Sequence, residues 1–499
     1  MSLAQRFTSS LIWNSIGKAI FYCSGIATSI IIARGLGKVD LGIYATLITI
    51  PAMLRLFSSL GFETIFNLKL PVYSLAPNGR DKMRYLIQRL IGLRLFITII
   101  ILGSLYMCFP LIGKFLKKPE LIQYFLPLAL YFVALTTLSL ISMIFLALLR
   151  MKVASIVDGF NQMLYLGGIL ILVWFLRLGI DGVLYAFVIS TITTICVYMV
   201  LGKEYVWGKT TSIEGERREL VEIGATALVS SMVTFGLGSQ IDILLLNYFG
   251  VSNEDIGVYH LGYSLALMLG LFSQGIGGIS QSVFSEAYTR QDDAGLSISW
   301  TMVTKVFIIM ALPIYMFALL HAYSIFKIFY GVEYVGTSGI LQLFIIATAL
   351  RIIIGSSFCM PAFYILQQKR KGVTVQIAGG MVNVILDVLL IPLYGVWGAV
   401  WATSLSLVMT GIGQVVILSR KIEIVPPFMF AGKIMIACTI ALLPTFFFEI
   451  FNVYLLLAAG LVYGILFILT IAVLKPLDEQ EKEMVKAVSP QFAAVVRYF

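Results

Sequence analysis

The sequence predicts an all-α polytopic membrane protein of about 14 transmembrane helices, built as two parallel six-helix repeats around a central cavity plus an extra helix pair. Three observations carry this. First, 60% of the 499 residues are hydrophobic and 12% charged, with a mean hydropathy of +0.97; soluble domains hold roughly 45–50% apolar and about 25% charged residues. Second, apolar runs of the roughly 20 residues needed to cross a bilayer recur along the whole chain, and the short alternating segments of a β-barrel do not. Third, one membrane turn is written twice. RGLGKVDLGIYATL (Arg34–Leu47) returns as NYFGVSNEDIGVYHLG (Asn247–Gly262), with Gly37 answering to Gly250, Gly42 to Gly257 and Tyr44 to Tyr259.

The first bundle, 1–201, holds predicted spans at 11–33, 40–61, 86–109, 123–149, 153–176 and 180–201. The run after Arg6 is too long for a signal-peptide core and lacks a small-residue cleavage site, so it reads as a span. A polar link, 202–221, follows. The second bundle, 222–418, holds spans at 222–249, 256–284, 298–322, 337–365, 372–393 and 396–418. Arg420, Lys421 and the Pro426-Pro427 pair lead to the extra helix pair, 431–474, and a mixed-charge tail, 475–499. Pro51, Pro313 and Pro361 fall inside spans, where kinks are expected. Cys23, Cys108, Cys196, Cys359 and Cys438 show no CxxC spacing and read as small buried hydrophobes, not disulfides or metal ligands.

With the N-terminus inside, the inner connections hold 21 Lys and Arg and the outer ones 7. This positive-inside bias predicts a multi-pass protein of the cell (inner or plasma) membrane with both termini cytoplasmic. The same bias accounts for the net charge of +10, and no basic, aromatic module stands outside the spans to bind nucleic acid.

A second match supports the repeat. LGIDGVLYAF (Leu178–Phe187) is echoed by YGVWGAVWAT (Tyr394–Thr403), pairing Gly179 with Gly395, Gly182 with Gly398 and Ala186 with Ala402 at a constant shift of 216. Tight turns favour glycine locally, but shared turn chemistry does not explain a shared offset. Six spans return the chain to the same side, so the halves are parallel repeats, one of the standard ways to build an alternating-access transporter.

Ionisable residues inside spans are costly and mark functional or paired positions. Lys18 and Arg351 lie nearest mid-membrane and read either as a cationic lumen for an anionic substrate or, for Arg351, as an ion pair with Asp387 or Asp242. Arg55, Arg94 and Lys305 sit in the cytoplasmic third, as further lumen cations or as side chains snorkelling to the interface. Asp158 reads as an interhelix residue; Asp242 and Asp387 are candidates for ion coupling or for a structural pair. In the span at 256–284, Gln274, Gly278, Gln281 and Ser285 share one helical face, as a polar lumen stripe or as packing glue.

Enzyme signals are missing, and no catalytic residues, cofactor or metal site are expected. His260 and His321 are far apart and no HExxH occurs. GKEYVWGKT (Gly202–Thr210) has one residue too many between its glycines for a phosphate-binding loop, and no strand precedes it.

RGLGKVDLGIYATL and NVILDVLLIPLYGVWGAVWATSLS (Asn383–Ser406) resemble O-antigen-type polysaccharide flippases of the multidrug, oligosaccharidyl-lipid and polysaccharide exporter superfamily, and the resemblance covers essentially the whole chain. It implies movement of polyprenyl-pyrophosphate-linked oligosaccharide from the inner to the outer leaflet, with membrane lipids and a polysaccharide polymerase machinery as partners. Two alternatives within the superfamily are a lipid-linked peptidoglycan precursor flippase and a drug/cation antiporter. The first has a first span richer in arginine than this one; the second is expected to line its lumen with carboxylates.

Overall fold

The computed structural model describes residues 3–76, 79–236, 239–274, 284–447 and 450–476; the side chains of 3–20, 22, 214, 230, 233–239 and 271–274 also fall outside the description. Among the described residues every regular element is helical, as expected where lipid leaves backbone groups no partner but their own segment. The chain divides into two compact units, Met1–Phe235 with Gln240–Gly257, and Gly236–Ser239 with Val258–Phe499.

In the first unit the long helices are α1 (Leu3–Ser59), α2 (Phe62–Leu75), α3 (Gly79–Phe115), α4 (Phe125–Ala147), α5 (Met151–Ile169) and α6 (Gly179–Leu201). The short α7 (Lys203–Val206) leads to α8 (Arg217–Gly236) and α9 (Ser239–Tyr248), and α10 (Asn253–Gln274) starts here. The second unit continues with α11 (Asp293–Ile325), α12 (Ser338–Ile353), α13 (Cys359–Ile365), α14 (Lys369–Tyr394), α15 (Val396–Leu418), α16 (Phe428–Phe446) and α17 (Val453–Leu474).

Eleven described helices are long and apolar enough to cross a membrane. The first, Cys23–Ser59, covers part of each of the expected spans 11–33 and 40–61, joined through a single non-helical residue, Gly37. The expected spans at 222–249 and 256–284 fall on α8, α9 and α10, whose described parts are interrupted. One span departs from expectation: 337–365 breaks after Ile353, turns through Gly355 in the left-handed region (φ 80) and resumes as α13. Such a break survives at membrane depth where it is buried in protein or lines a cavity. The non-helical residues within long helices are Gly37 and His321, not Pro51 or Pro313.

The repeated glycines do the same local work in both copies. Gly37 and Gly250 take φ 73 and 78, and Gly179 and Gly395 take φ 57 and 56, values that L-residues avoid. The two copies of the first turn also touch. A Cβ on Gly42 would fall 1.8 Å from the Asn253 carbonyl oxygen, and one on Gly257 2.6 Å from that of Lys38. Asn247 donates to Thr46 Oγ1 at 3.0 Å beside them, and Lys118 hydrogen-bonds Asn253. This close approach accounts for the grouping of residues 240–257 with the first unit.

Segments assigned to the cytoplasm meet elsewhere in the same unit. The link is strapped down: Lys69 pairs with Glu216 (3.2 Å) and Glu219 (2.6 Å), Tyr73 donates to Glu216 (2.6 Å), Arg84 Nε donates to the Glu204 carbonyl (3.0 Å) and Arg150 pairs with Glu204 (3.6 Å). The Tyr73 hydrogen bond, followed by Lys69, holds the Glu216 carboxyl below its ordinary value against the opposing effect of burial. The five cysteines are unpaired; Cys359 and Cys438 are buried as expected, whereas Cys23, Cys108 and Cys196 are exposed on apolar helices.

Candidate functional site

The break after α12 shapes the candidate site. Arg351 lies in the last turn of α12, where a cation is favoured by the helix dipole. Ser356 Oγ donates to the Arg351 carbonyl at 3.0 Å and stabilises the turn. The side-chain stem passes Gly411 of α15, on which a Cβ would stand 3.4 Å from Arg351 Cγ. Arg351 borders a cavity of about 440 Å³ inside the second unit, walled by Tyr263, Phe307, Tyr315, Phe344, Thr348 and Phe358. The rings of Tyr263 and Phe344 meet edge to face at 5.2 Å.

Arg351 has no ion pair among the described residues, and neither its Nε nor the buried Tyr315 hydroxyl has a hydrogen-bond partner among them. A pair with Asp387 is thus not formed. Asp387 is fully buried and instead accepts from Asn383 Nδ2 at 3.2 Å, while Ser406 Oγ donates to Asn383 Oδ1 at 2.8 Å, tying α14 to α15. Asp242 is fully buried in the first unit.

The other expected cations separate. Arg94 does not snorkel: it is 1% exposed and its Nη2 reaches Glu63 (3.4 Å), Ser139 Oγ (3.3 Å) and the Thr136 carbonyl (3.4 Å). Ser139 also donates to Glu63 at 3.0 Å, while Arg94 Nε and Nη1 are buried without a hydrogen-bond partner among the described residues. Lys305 lies over the Phe430 ring at 5.1 Å, on the side of the extra helix pair. Arg55 is exposed. Asp158 accepts from Tyr198 at 2.7 Å, joining α5 to α6 as expected of an interhelix residue. The side chains of Lys18 and Gln274, and all of Gly278 and Gln281, lie outside the described residues; Ser285 is exposed. No group of three or more His, Cys, Asp or Glu placed to hold a metal occurs among the described residues.

Sequence reading missed the aromatic partners of the repeated tyrosines. Tyr44 hydrogen-bonds Tyr165, and Tyr131 and Tyr165 pack on Phe187 (4.1 and 5.7 Å). In the second unit Tyr259 packs on Tyr263 (6.2 Å) and Phe344 (5.9 Å). Phe344 then forms a cavity wall.

Comparison with known proteins places this architecture. The chain is similar in fold to a lipid II flippase, MurJ, in an inward closed conformation: TM-score 0.76 at 15% identity, over 93% of this chain and 98% of that one. It is also similar to an inward-facing multidrug resistance MATE family transporter of the MOP superfamily, with TM-score 0.59 at 13% identity over 82% of this chain and 96% of that one. A MOP superfamily transporter from Pyrococcus furiosus gives 0.58 at 17% identity over 83% and 96%. At these identities the likeness concerns the fold, which is that of membrane transporters. No curated protein matches the sequence closely enough to count as a relative. The family model for polysaccharide biosynthesis proteins matches residues 7–284. That match spans more than half of the chain, and the protein belongs to the polysaccharide biosynthesis protein family.

Proposed function

We propose that the protein flips a polyprenyl-pyrophosphate-linked oligosaccharide, the repeat unit of a polysaccharide, from the inner to the outer leaflet of the cell membrane by alternating access. The observation that carries this reading is Arg351: a cation beside a 440 Å³ cavity with no counter-ion among the described residues. A cation at membrane depth is costly unless an anion meets it, and a lipid-linked glycan brings one, on its pyrophosphate or on an acidic sugar. Lys18 and Arg55 are further proposed headgroup contacts, and the fully buried Asp242 and Asp387 the proposed coupling carboxylates. Both termini face the cytoplasm in this reading, and a polymerase machinery receives the flipped unit. A second reading, a lipid-linked peptidoglycan precursor as substrate, is favoured by the fold likeness to the lipid II flippase. A drug antiporter fits less well, since the cavity presents a guanidinium where a drug cation needs a carboxylate.

The test is leaflet exposure in liposomes holding the purified protein. A lipid-pyrophosphate carrying a neutral oligosaccharide should appear in the opposite leaflet faster than in empty liposomes, and faster than a lipid-linked peptidoglycan precursor. Preference for the precursor supports the second reading; movement of neither, with uptake of a cationic dye, supports the antiporter.

A further inference from the structure

We infer that the Arg351 cavity is a subsite for a sugar ring bearing one carboxylate, so that it reads the glycan and not the pyrophosphate. This rests on the flippase reading above. Three features of the cavity lead here.

The first is charge. Arg351 is the single cation among the described lining residues, and no carboxylate lines the cavity with it. One guanidinium matches one carboxylate in charge and in planar, two-pronged geometry. A pyrophosphate brings more negative charge than one cation offsets at a buried site, and desolvating the excess is costly.

The second is the walls. Tyr263, Phe307, Tyr315, Phe344 and Phe358 give the cavity five aromatic side chains. Such rings offer flat apolar faces to the C–H face of a sugar ring, and little to a bare phosphate. Thr348 and Ser357, also in the lining, can bond ring hydroxyls. The volume falls within the range of about 300–1,000 Å³ usual for small-molecule sites.

The third is the donors. Arg351 Nε and the Tyr315 hydroxyl are both buried and lack hydrogen-bond partners among the described residues. Tyr315 is 2% exposed, and its hydroxyl stands 3.4 Å from where a Cβ on Gly270, another lining residue, would be. Buried donors are satisfied in native proteins. A carboxylate accepts hydrogen bonds and donates none, so it suits a lining that offers the Arg351 guanidinium and the Tyr315 side chain and no acid. The Arg351 stem, held past Gly411, keeps the head in place before a ligand arrives.

The experiment measures binding of three soluble probes to the full-length protein in detergent: a disaccharide with one uronic carboxylate, its methyl ester, and inorganic pyrophosphate. The wild type should bind the acid more tightly than the ester by on the order of ten- to a hundredfold, the worth of charge-assisted hydrogen bonds at a buried site. Arg351→Gln should remove that preference and leave ester binding unchanged. Tyr315→Phe should reduce it a few-fold while Arg351 still discriminates. Equal binding of acid and ester by the wild type overturns the proposal, as does pyrophosphate displacing the acid at equal concentration in an Arg351-dependent way. A thermal melt of each variant separates loss of fold from loss of preference. Rescue of acid preference by Arg351→Lys to a partial level supports a charge contact; full preference retained in Arg351→Gln overturns it. Flipping of a lipid-linked neutral glycan by the wild type reports on the flippase reading separately, because it does not depend on this carboxylate.

Discussion

Two arginines within apolar helices, one in each unit, show how differently the same side chain can be used within a membrane: Arg94 is buried and Arg351 part-buried. Arg94 is enclosed by Glu63, Ser139 and the Thr136 carbonyl. Arg351 borders a cavity and has no ion pair among the described residues. Both lie inside apolar helices, and both read from sequence as lumen cations. What separates them is the partner. In the reading proposed here, the cation with its carboxylate in place belongs to the scaffold and the cation without one meets a ligand that supplies it.

The comparison breaks most visibly if the carboxylate is removed from the scaffold pair. Glu63→Ala leaves Arg94 buried and uncompensated, and should destabilise the folded protein by about 3–5 kcal/mol. A thermal melt in detergent reads this as a clear drop. A melt like that of the wild type would mean that Arg94 is as free of its scaffold as Arg351.

The glycines provide the next contrast. Gly42 has the Asn253 carbonyl in the space a Cβ needs, whereas the nearest atom to a Cβ on Gly270 is the Tyr315 hydroxyl at 3.4 Å, ordinary contact. Gly42→Ala should cost about 1–3 kcal/mol through forced separation of the two turns. Gly270→Ala should melt near the wild type. Equal effects on melting would remove the distinction between a filled contact and an open one.

A smaller effect is expected at Asp158. Tyr198→Phe removes the donor at 2.7 Å and should cost about 1–2 kcal/mol, less than Glu63→Ala, because part-buried Asp158 loses one neutral donor and not an opposite charge. A cost as large as that of Glu63→Ala would place Asp158 with the ion pairs.

The smallest effect concerns pH and the strap. Glu216 has its carboxyl depressed below the ordinary 4.5 by Tyr73 and Lys69. A depressed carboxylate contributes stability that is present above the ordinary value and lost as pH falls through the depressed one. The link should therefore stay docked at pH 7 and loosen below about pH 4.5. A fluorophore at Ser212, exposed in the link, should gain mobility over that window and do so at higher pH in Tyr73→Phe. Mobility unchanged down to pH 3 would show that the pairs do not hold the strap.

Much of this architecture was legible in the sequence because its causes are local. Spans follow from apolar run length, and the repeat follows from glycines whose left-handed backbone no other residue takes easily, as at Gly37, Gly250, Gly179 and Gly395. The break in the span at 337–365 was written in Gly355 and the serines beside it, but a continuous apolar run masked it. The fates of the arginines were not legible, because the partner sits elsewhere in the chain. Glu63 is 31 residues from Arg94. The walls of the Arg351 cavity include tyrosines and phenylalanines on α10, α11 and α12 and Phe358 in the break before α13, which in sequence look like any other apolar positions. Spacing along one helix predicts a face, not what packs against it.

The most direct measurement of the central contrast is translocation in liposomes of a lipid-pyrophosphate-linked glycan carrying one uronic acid, by Arg351→Gln and by the wild type, with melting followed in parallel. Removing a cation that lacks a counter-ion leaves no buried charge behind, so Arg351→Gln should melt within a degree or two of the wild type, while its translocation rate falls on the order of tenfold. Wild-type translocation in Arg351→Gln, or a loss of melting temperature as large as that of Glu63→Ala, would contradict the assignment of Arg351 to the ligand.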